Sequence, residues 1–347
     1  MSGRYDKRQT TNVTEAGTGV GKSEIGEISN ASPAAPAVDV RHLCRTFRTT
    51  GKEFTALADI TFTIPPGEAA AILGVNGAGK TTLSKILATW LYPTSGTVNI
   101  FGADVVTAAA HARQHIVAVF GGDRGLYPML TAWENLSYFA AIRGAALPKP
   151  QLASILDSVG LADAAHRRVE EYSKGMKQRL HIAVGLSANA PILLLDEPTV
   201  GLDPIEAARL RGTLAELKNR GKTIILTSHN LTDVEELADR VILIHSGRIK
   251  YDLPLARFKE LAGYRYRITA TLQHPTTEPE FENHPNVDGT VRVTRLITSD
   301  EQTLITRILE QLQPCGLVDF TISPASLEEA FTNAVHNNDG DDGGAAC

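Results

Sequence analysis

The hydrophobic positions of this chain follow two kinds of pattern. From Ala58 to Ile64 apolar residues occupy alternate positions, the period of a strand with one buried face. A turn at Pro65-Pro66-Gly67 follows. Glu68 to Leu73 is then almost wholly apolar, as a strand buried on both faces requires. Short runs of the same kind recur at 116–120, 192–195, 223–227 and 241–245, with helix-period segments between them. Strands alternating with helices predict an α/β layer fold around a mainly parallel core sheet. Ordered structure is expected to begin near Val38-Asp39-Val40.

Beyond about residue 255 the texture changes. Tyr264 to Leu272 alternates like a strand, as do residues 290–297, and a helix period covers 301–313. Ser326-Leu327-Glu328-Glu329 has the spacing of a helix capping box. The expected division is a main domain at 37–254 and a small α+β domain at 255–336. Residues 1–36 are rich in Thr, Ser, Gly, Ala and Pro without an apolar period and read as a disordered tail. Residues 337–347 read as an acidic, Gly-rich tail.

Composition narrows the classes. Hydrophobic residues make up 43% and charged residues 21%, ordinary globular usage. A formal charge of −5, from 34 basic and 39 acidic side chains, argues against a generic nucleic-acid coat. No apolar run approaches the ~20 residues that cross a bilayer, and no secretory signal is evident. Cys44, Cys315 and Cys347 are widely spaced, which fits a reducing compartment. These features together predict a soluble intracellular protein.

The candidate chemistry starts at GVNGAGKT, residues 74–81. Its placement between an apolar strand and a helix-period segment from Thr81 to Trp90 is what phosphate binding needs. Glycines let successive N–H groups close around phosphate oxygens, and the helix N-terminus adds orphan donors and partial positive charge. Lys80 can reach the β- and γ-phosphates, and the Thr81 hydroxyl can bind Mg²⁺. A relaxed second match, AGTGVGKS at 16–23, has no apolar strand before it and is broken by Gly26 and Pro33 after it. It reads as a coincidence within the tail. Ile192 to Leu195 is an apolar run that ends in Asp196-Glu197, which puts two carboxylates at the C-terminal edge of the sheet. Asp196 suits a water-mediated Mg²⁺ site, and Glu197 suits a general base that polarises water.

With the segment Tyr172 to Arg179 (YSKGMKQR), the stretch DEPTVGLDP at 196–204 and Thr227-Ser228-His229, the chain resembles the ATP-binding subunits of ATP-binding-cassette (ABC) transporters over about 38–250. The resemblance implies a P-loop NTPase ABC-ATPase fold with an antiparallel β edge and a helical subdomain at about 124–190. The cofactors it implies are ATP and Mg²⁺. Gly74, Asn76, Gly77, Ala78, Gly79, Lys80, Thr81 and Thr82 would hold the phosphates, and Phe47 would stack on adenine. Ser173 and Gly175 would offer donors to the γ-phosphate of ATP held by a second copy in a head-to-tail homodimer. Asp203 would link the two sites, and His229 would contact the γ-phosphate and help Glu197 position water.

Two positions depart from the family pattern. Lys174 and Met176 stand where Gly and Gln are usual, a variant similar to a branch of bacterial export ATPases. Gly122 aligns where a Gln usually ligates Mg²⁺, so a water or Asp123 is expected to substitute. The segment Arg124 to Leu136 resembles the part of the family that receives a permease. The ending Ile322 to Phe331 resembles the C-terminal domain of bacterial ATPases serving drug, antibiotic and peptide exporters. The resemblance thus implies ATP-driven export through a separate membrane permease, from the cytoplasmic face of the membrane, with no nucleic-acid partner. The alternative is a nucleotide-driven switch on ribosomes or DNA, although no sustained heptads separate Lys80 from Ser173.

Overall fold

Burial along the first strands repeats the alternation of the sequence. In the computed structural model β1 (Val38–Thr49) and β2 (Lys52–Ile64) pair as a long antiparallel hairpin, and the alternating segment is the second half of β2. The structure describes residues 35–49, 51–120, 125–142, 147–187, 189–298 and 302–336. The expectations for the two tails, for the match at 16–23 and for Gly122 and Asp123 lie outside the described residues, Ala35 and Pro36 excepted.

The buried run forms β3 (Ala69–Leu73), which leads through the glycine loop into α1 (Lys80–Leu87). The predicted helix ran on to Trp90. It stops at Leu87 because Thr89 adopts a left-handed φ of 59°, and the N–H of Trp90 closes back on the Lys85 carbonyl. β4 (Ser95–Ile100) and β5 (Ala103–Asp104) complete the antiparallel sheet in the order β2-β1-β4-β5, and α2 (Ala109–His115) precedes β6 (Ile116–Phe120). Three helices follow, α3 (Ala132–Ile142), α4 (Lys149–Ser158) and α5 (Lys174–Ser187). Then come β7 (Ile192–Asp196), α6 (Pro204–Asn219), β8 (Thr223–Thr227), α7 (Leu231–Leu237), β9 (Arg240–His245) and β10 (Arg248–Pro254).

The central sheet has the order β10-β9-β3-β8-β7-β6, parallel except for β10. Its strands show why the sequence runs lack alternation. Leu193 and Leu195 enter one hydrophobic cluster, whereas Ile192 and Leu194 enter the cluster on the other side of the sheet. Each leucine so buried contributes roughly 1.5–3 kcal/mol. The first cluster is shared with α3 to α7, the second with α1 and the antiparallel sheet.

After α8 (Leu255–Lys259) the appendage holds β11 (Tyr266–Leu272), β12 (Glu282–Pro285), β13 (Val291–Ile297), α9 (Gln302–Leu312), β14 (Leu317–Pro324) and α10 (Leu327–His336). Its sheet, β12-β13-β11-β14, is antiparallel and has a small core of its own around Ile268, Val293 and Ile308. The packing crosses residue 255, because Leu327, Ala330 and Ala334 of α10 join the main cluster beside Val234, Leu237 and Phe258.

The capping box predicted at Ser326 is half formed. Ser326 Oγ accepts from the Glu328 N–H at 3.2 Å, but Glu329 turns instead to Tyr264 and Arg267. A reciprocal box forms at the start of α3. There Thr131 Oγ1 accepts from the Glu134 N–H at 3.1 Å, and Glu134 Oε2 accepts from the Thr131 N–H at 2.8 Å. Those bonds hold the Glu134 carboxyl below its usual range. No described helix is long and apolar enough to cross a membrane.

Candidate functional site: a phosphate loop facing a carboxylate–histidine pair

The loop after β3 is shaped by what its glycines lack. A Cβ on Gly74 would lie 2.3 Å from the Ile244 carbonyl oxygen, and one on Gly79 would lie 2.5 Å from that of Ala56. Gly79 also caps α1 with φ 110°, which no β-carbon-bearing residue adopts comfortably. The N–H of Gly247 donates to the Ala78 carbonyl at 3.2 Å, which fixes the loop to the turn between β9 and β10. No acidic residue occupies the first turn of α1, and no side chain caps it, so its N–H donors and partial charge face outward.

Lys80 lies within this cradle, 8% exposed, with Nζ donating to the carbonyls of Gly74 at 2.7 Å and Val75 at 3.2 Å. Burial pushes its ammonium below the usual lysine range. Glu197 and Asp196 act in the opposite direction, so both carboxylates lie within electrostatic reach of Lys80. Thr81 is exposed and Thr82 half-buried on the first turn, Asn76 and Gly77 are exposed, and Ala78 is buried.

Parallel pairing brings the acidic segment to the same sheet edge. Ile72 of β3 pairs with Thr227 of β8, and Thr227 pairs with Asp196 of β7. The Thr227 hydroxyl donates to Asp196 Oδ1 at 2.5 Å, and the Glu197 N–H donates to the Thr227 carbonyl at 3.0 Å. Glu197 has a left-handed φ of 54°, a strained conformation for a residue with a side chain. Its Oε2 lies 2.7 Å from His229 Nδ1 and accepts from the His229 N–H at 3.2 Å. The chain therefore brings together Lys80, Asp196, Glu197 and His229.

Ser173, Gly175 and Asp203 lie at the starts of α5 and α6. Ser173 is exposed at the start of α5, where its Oγ accepts from the Met176 N–H at 3.2 Å. Gly175 is buried against α6, and a Cβ there would lie 2.7 Å from Glu206 Oε2. Glu206 pairs with the buried Arg179 at 2.9 Å, so this glycine has a packing role that its motif does not reveal. Asp203 caps α6, accepting from the N–H groups of Ile205 and Glu206 at 3.0 and 2.9 Å. Lys174 Nζ donates to the Val200 carbonyl at 2.7 Å, joining the two segments. A cavity of about 280 Å³, lined by Lys174, Gln178, Glu197 and Val200 among others, lies between α5 and the acidic segment.

Phe47 is half-buried on β1, and the Arg45 guanidinium sits 4.5 Å from its ring centre. Cross-strand pairing places Phe54, 60% exposed, directly opposite Phe47. Sequence reasoning missed this second aromatic. It also missed the buried Asp233, which bonds to Thr199, Ser228 and Arg211.

A strand, a glycine loop and a helix gripping a buried lysine, opposite a strand-end carboxylate pair, define a phosphate-loop nucleotide hydrolase. A family profile described as ABC transporter matches residues 57–200. The ABC transporter ATP-binding protein NatA of Bacillus subtilis is 40% identical over 209 residues, 60% of this chain and 85% of that protein. The daunorubicin/doxorubicin resistance ATP-binding protein DrrA of Streptomyces peucetius is 32% identical over 289 residues, covering 80% and 86%. A dimeric ATP-binding cassette, solved in a post-hydrolysis state with ADP and Pi, superposes with a TM-score of 0.57 at 26% identity. The superposition covers 63% of this chain and 98% of that one.

The chain belongs to the ABC transporter family as an ATP-binding subunit. It is an ATPase whose hydrolysis is coupled to transport, and subunits of this family dimerise and work with membrane permeases. None of these relatives supports the ribosome or DNA alternative.

Proposed function

We propose that this subunit hydrolyses MgATP in a head-to-tail homodimer, with each γ-phosphate caged by the Gly74–Thr82 loop of one copy and the Ser173 helix start of the other. The observation that carries the reading is the convergence of buried Lys80 with Asp196, Glu197 and His229 at one sheet edge. The cradle fits a triphosphate, because no side chain caps the start of α1, no acidic residue stands in its first turn, and Gly74 and Gly79 let the loop pack against the Ile244 and Ala56 carbonyls. The exposed Thr81 hydroxyl and the half-buried Asp196 carboxylate suit Mg²⁺, a hard ion that takes one or two protein oxygens beside waters and phosphates. When bound, the ion neutralises charge that develops on the phosphate oxygens.

Lys80 holds two loop carbonyls and keeps a third N–H for the nucleotide. His229 engages Oε2 of Glu197, which leaves Oε1 to polarise the attacking water. Arg45 covers one face of Phe47, so adenine stacks on the other. Asp203 links the two sites of the dimer.

Export through a separate permease is the transport reading. It is supported by likeness to a drug-resistance ATP-binding protein over a span that reaches into the appendage. The permease would meet the surface after residue 124, where Tyr127, Met129, Tyr138 and Ile142 are exposed. That contact would place the subunit on the cytoplasmic face of the membrane. In the full chain, Glu197→Gln should keep ATP binding and lose turnover by roughly 10²–10⁴-fold, the usual worth of a general base. Turnover within a few-fold of wild type would exclude Glu197 as the base.

A further inference from the structure

The catalytic pair is held on two short segments, neither of them regular. Glu197 follows β7 in a left-handed conformation, and His229 lies between the end of β8 and α7. Such strain persists only where the surroundings over-determine it. Behind both segments lies Asp233 of α7, with no exposed surface. Its Oδ2 accepts from the Thr199 hydroxyl at 2.5 Å and from the Ser228 hydroxyl at 3.2 Å. Thr199 stands two residues after Glu197, and Ser228 stands one residue before His229. Oδ1 accepts from Arg211 Nη1 at 3.2 Å, and Arg211 is tied in turn to Glu236 at 2.8 Å. A fully buried carboxylate is costly unless its oxygens are taken up by donors, and here three converge on it.

We propose that Asp233 is the positioning residue of the hydrolytic site, fixing the Glu197 and His229 segments against each other through the Thr199 and Ser228 hydroxyls. The inference rests on the roles given above to Glu197 and His229. Without the Thr199 anchor, the segment after Glu197 can relax towards ordinary backbone angles and draw the carboxylate away from His229 Nδ1. A displacement of about 1 Å costs on the order of 10²-fold in rate. Nucleotide affinity stays nearly constant, because the Gly74–Thr82 loop makes no hydrogen bond to Asp233, Thr199 or Ser228. The signature is therefore a fall in kcat without a matching rise in KM.

The test is ATP turnover of the full chain carrying Thr199→Val, Thr199→Ser or Ser228→Ala, with circular dichroism reporting the folded fraction. Thr199→Val and Ser228→Ala leave the Arg211–Asp233 pair intact. Each should lower kcat by about ten-fold or more while KM stays within about two-fold, and Thr199→Ser should restore kcat. Wild-type kcat in either folded variant overturns the proposal. So does a KM that rises as kcat falls, or a failure of Thr199→Ser to restore kcat. If Thr199→Val does not fold, Ser228→Ala decides alone. Glu197→Gln run alongside separates the two levels. If that variant turns over ATP normally, the pair has no catalytic role and the proposal falls with it. If it is inactive and Thr199→Val is not, only the positioning claim fails.

Discussion

Tyr172 stands immediately before the exposed Ser173 and shows how a buried polar group supports the site. Its hydroxyl donates to the Ala164 carbonyl at 2.6 Å. Burial raises the phenol from its usual value near 10 to about 12, against the pull of Arg167 and Arg179. A raised folded-state value means the stabilisation is complete below about pH 10 and is lost as pH climbs to about 12. Tyr172→Phe should cost about 1 kcal/mol at neutral pH, the worth of one hydrogen bond, yet lose stability less steeply between those limits. Urea melts of both proteins across that range check this, and equal slopes would deny the group its role. Residue-scale placement was legible where a motif fixes spacing, as for Lys80, Asp196, Glu197 and His229, which meet at one sheet edge. Asp233 was not, because an acidic residue in the first turn of a helix is commonplace, and the hydroxyls it serves lie on two other segments.

Elements were legible where run length and alternation agree with burial. The runs at 116–120, 192–195 and 223–227 became β6, β7 and β8 because each sends alternate side chains to two covered faces. The sequence signal weakens where an element lies on an edge or answers to distant partners. β14, at the edge of the appendage sheet, is mostly exposed and has no clean period. The capping spacing at Ser326 was real, but Glu329 was drawn to Tyr264 and Arg267, which no local pattern encodes. α10 is amphipathic, and its partners lie on α7, α8 and the segment 260–262. Leu327, 1% exposed in the main cluster, is therefore as much a part of the ATPase core as of the appendage. Leu327→Ala should cost about 2–5 kcal/mol, and thermal melting should shift the main transition. A shift confined to a minor separate transition would show that α10 belongs to the appendage alone.

At the scale of the whole molecule, the proposed γ-phosphate site has two parts, which would meet across a dimer. Lys80, Asp196, Glu197 and His229 meet at the edge of the parallel sheet. Ser173 presents its hydroxyl at the surface, on a helix whose next turn is locked to α6 through Gly175 and the Arg179–Glu206 pair. Lys174 ties that helix start to the loop that follows Glu197. A rigid, exposed helix start is suited to completing a site on another copy, where preorganised donors act without reorganisation cost. The direct test is a structure of the Glu197→Gln chain with ATP and Mg²⁺. The account predicts a dimer in which Ser173 Oγ of each copy lies within hydrogen-bond reach of the γ-phosphate gripped by its partner. A bound nucleotide whose γ-phosphate is approached by no second copy would contradict it.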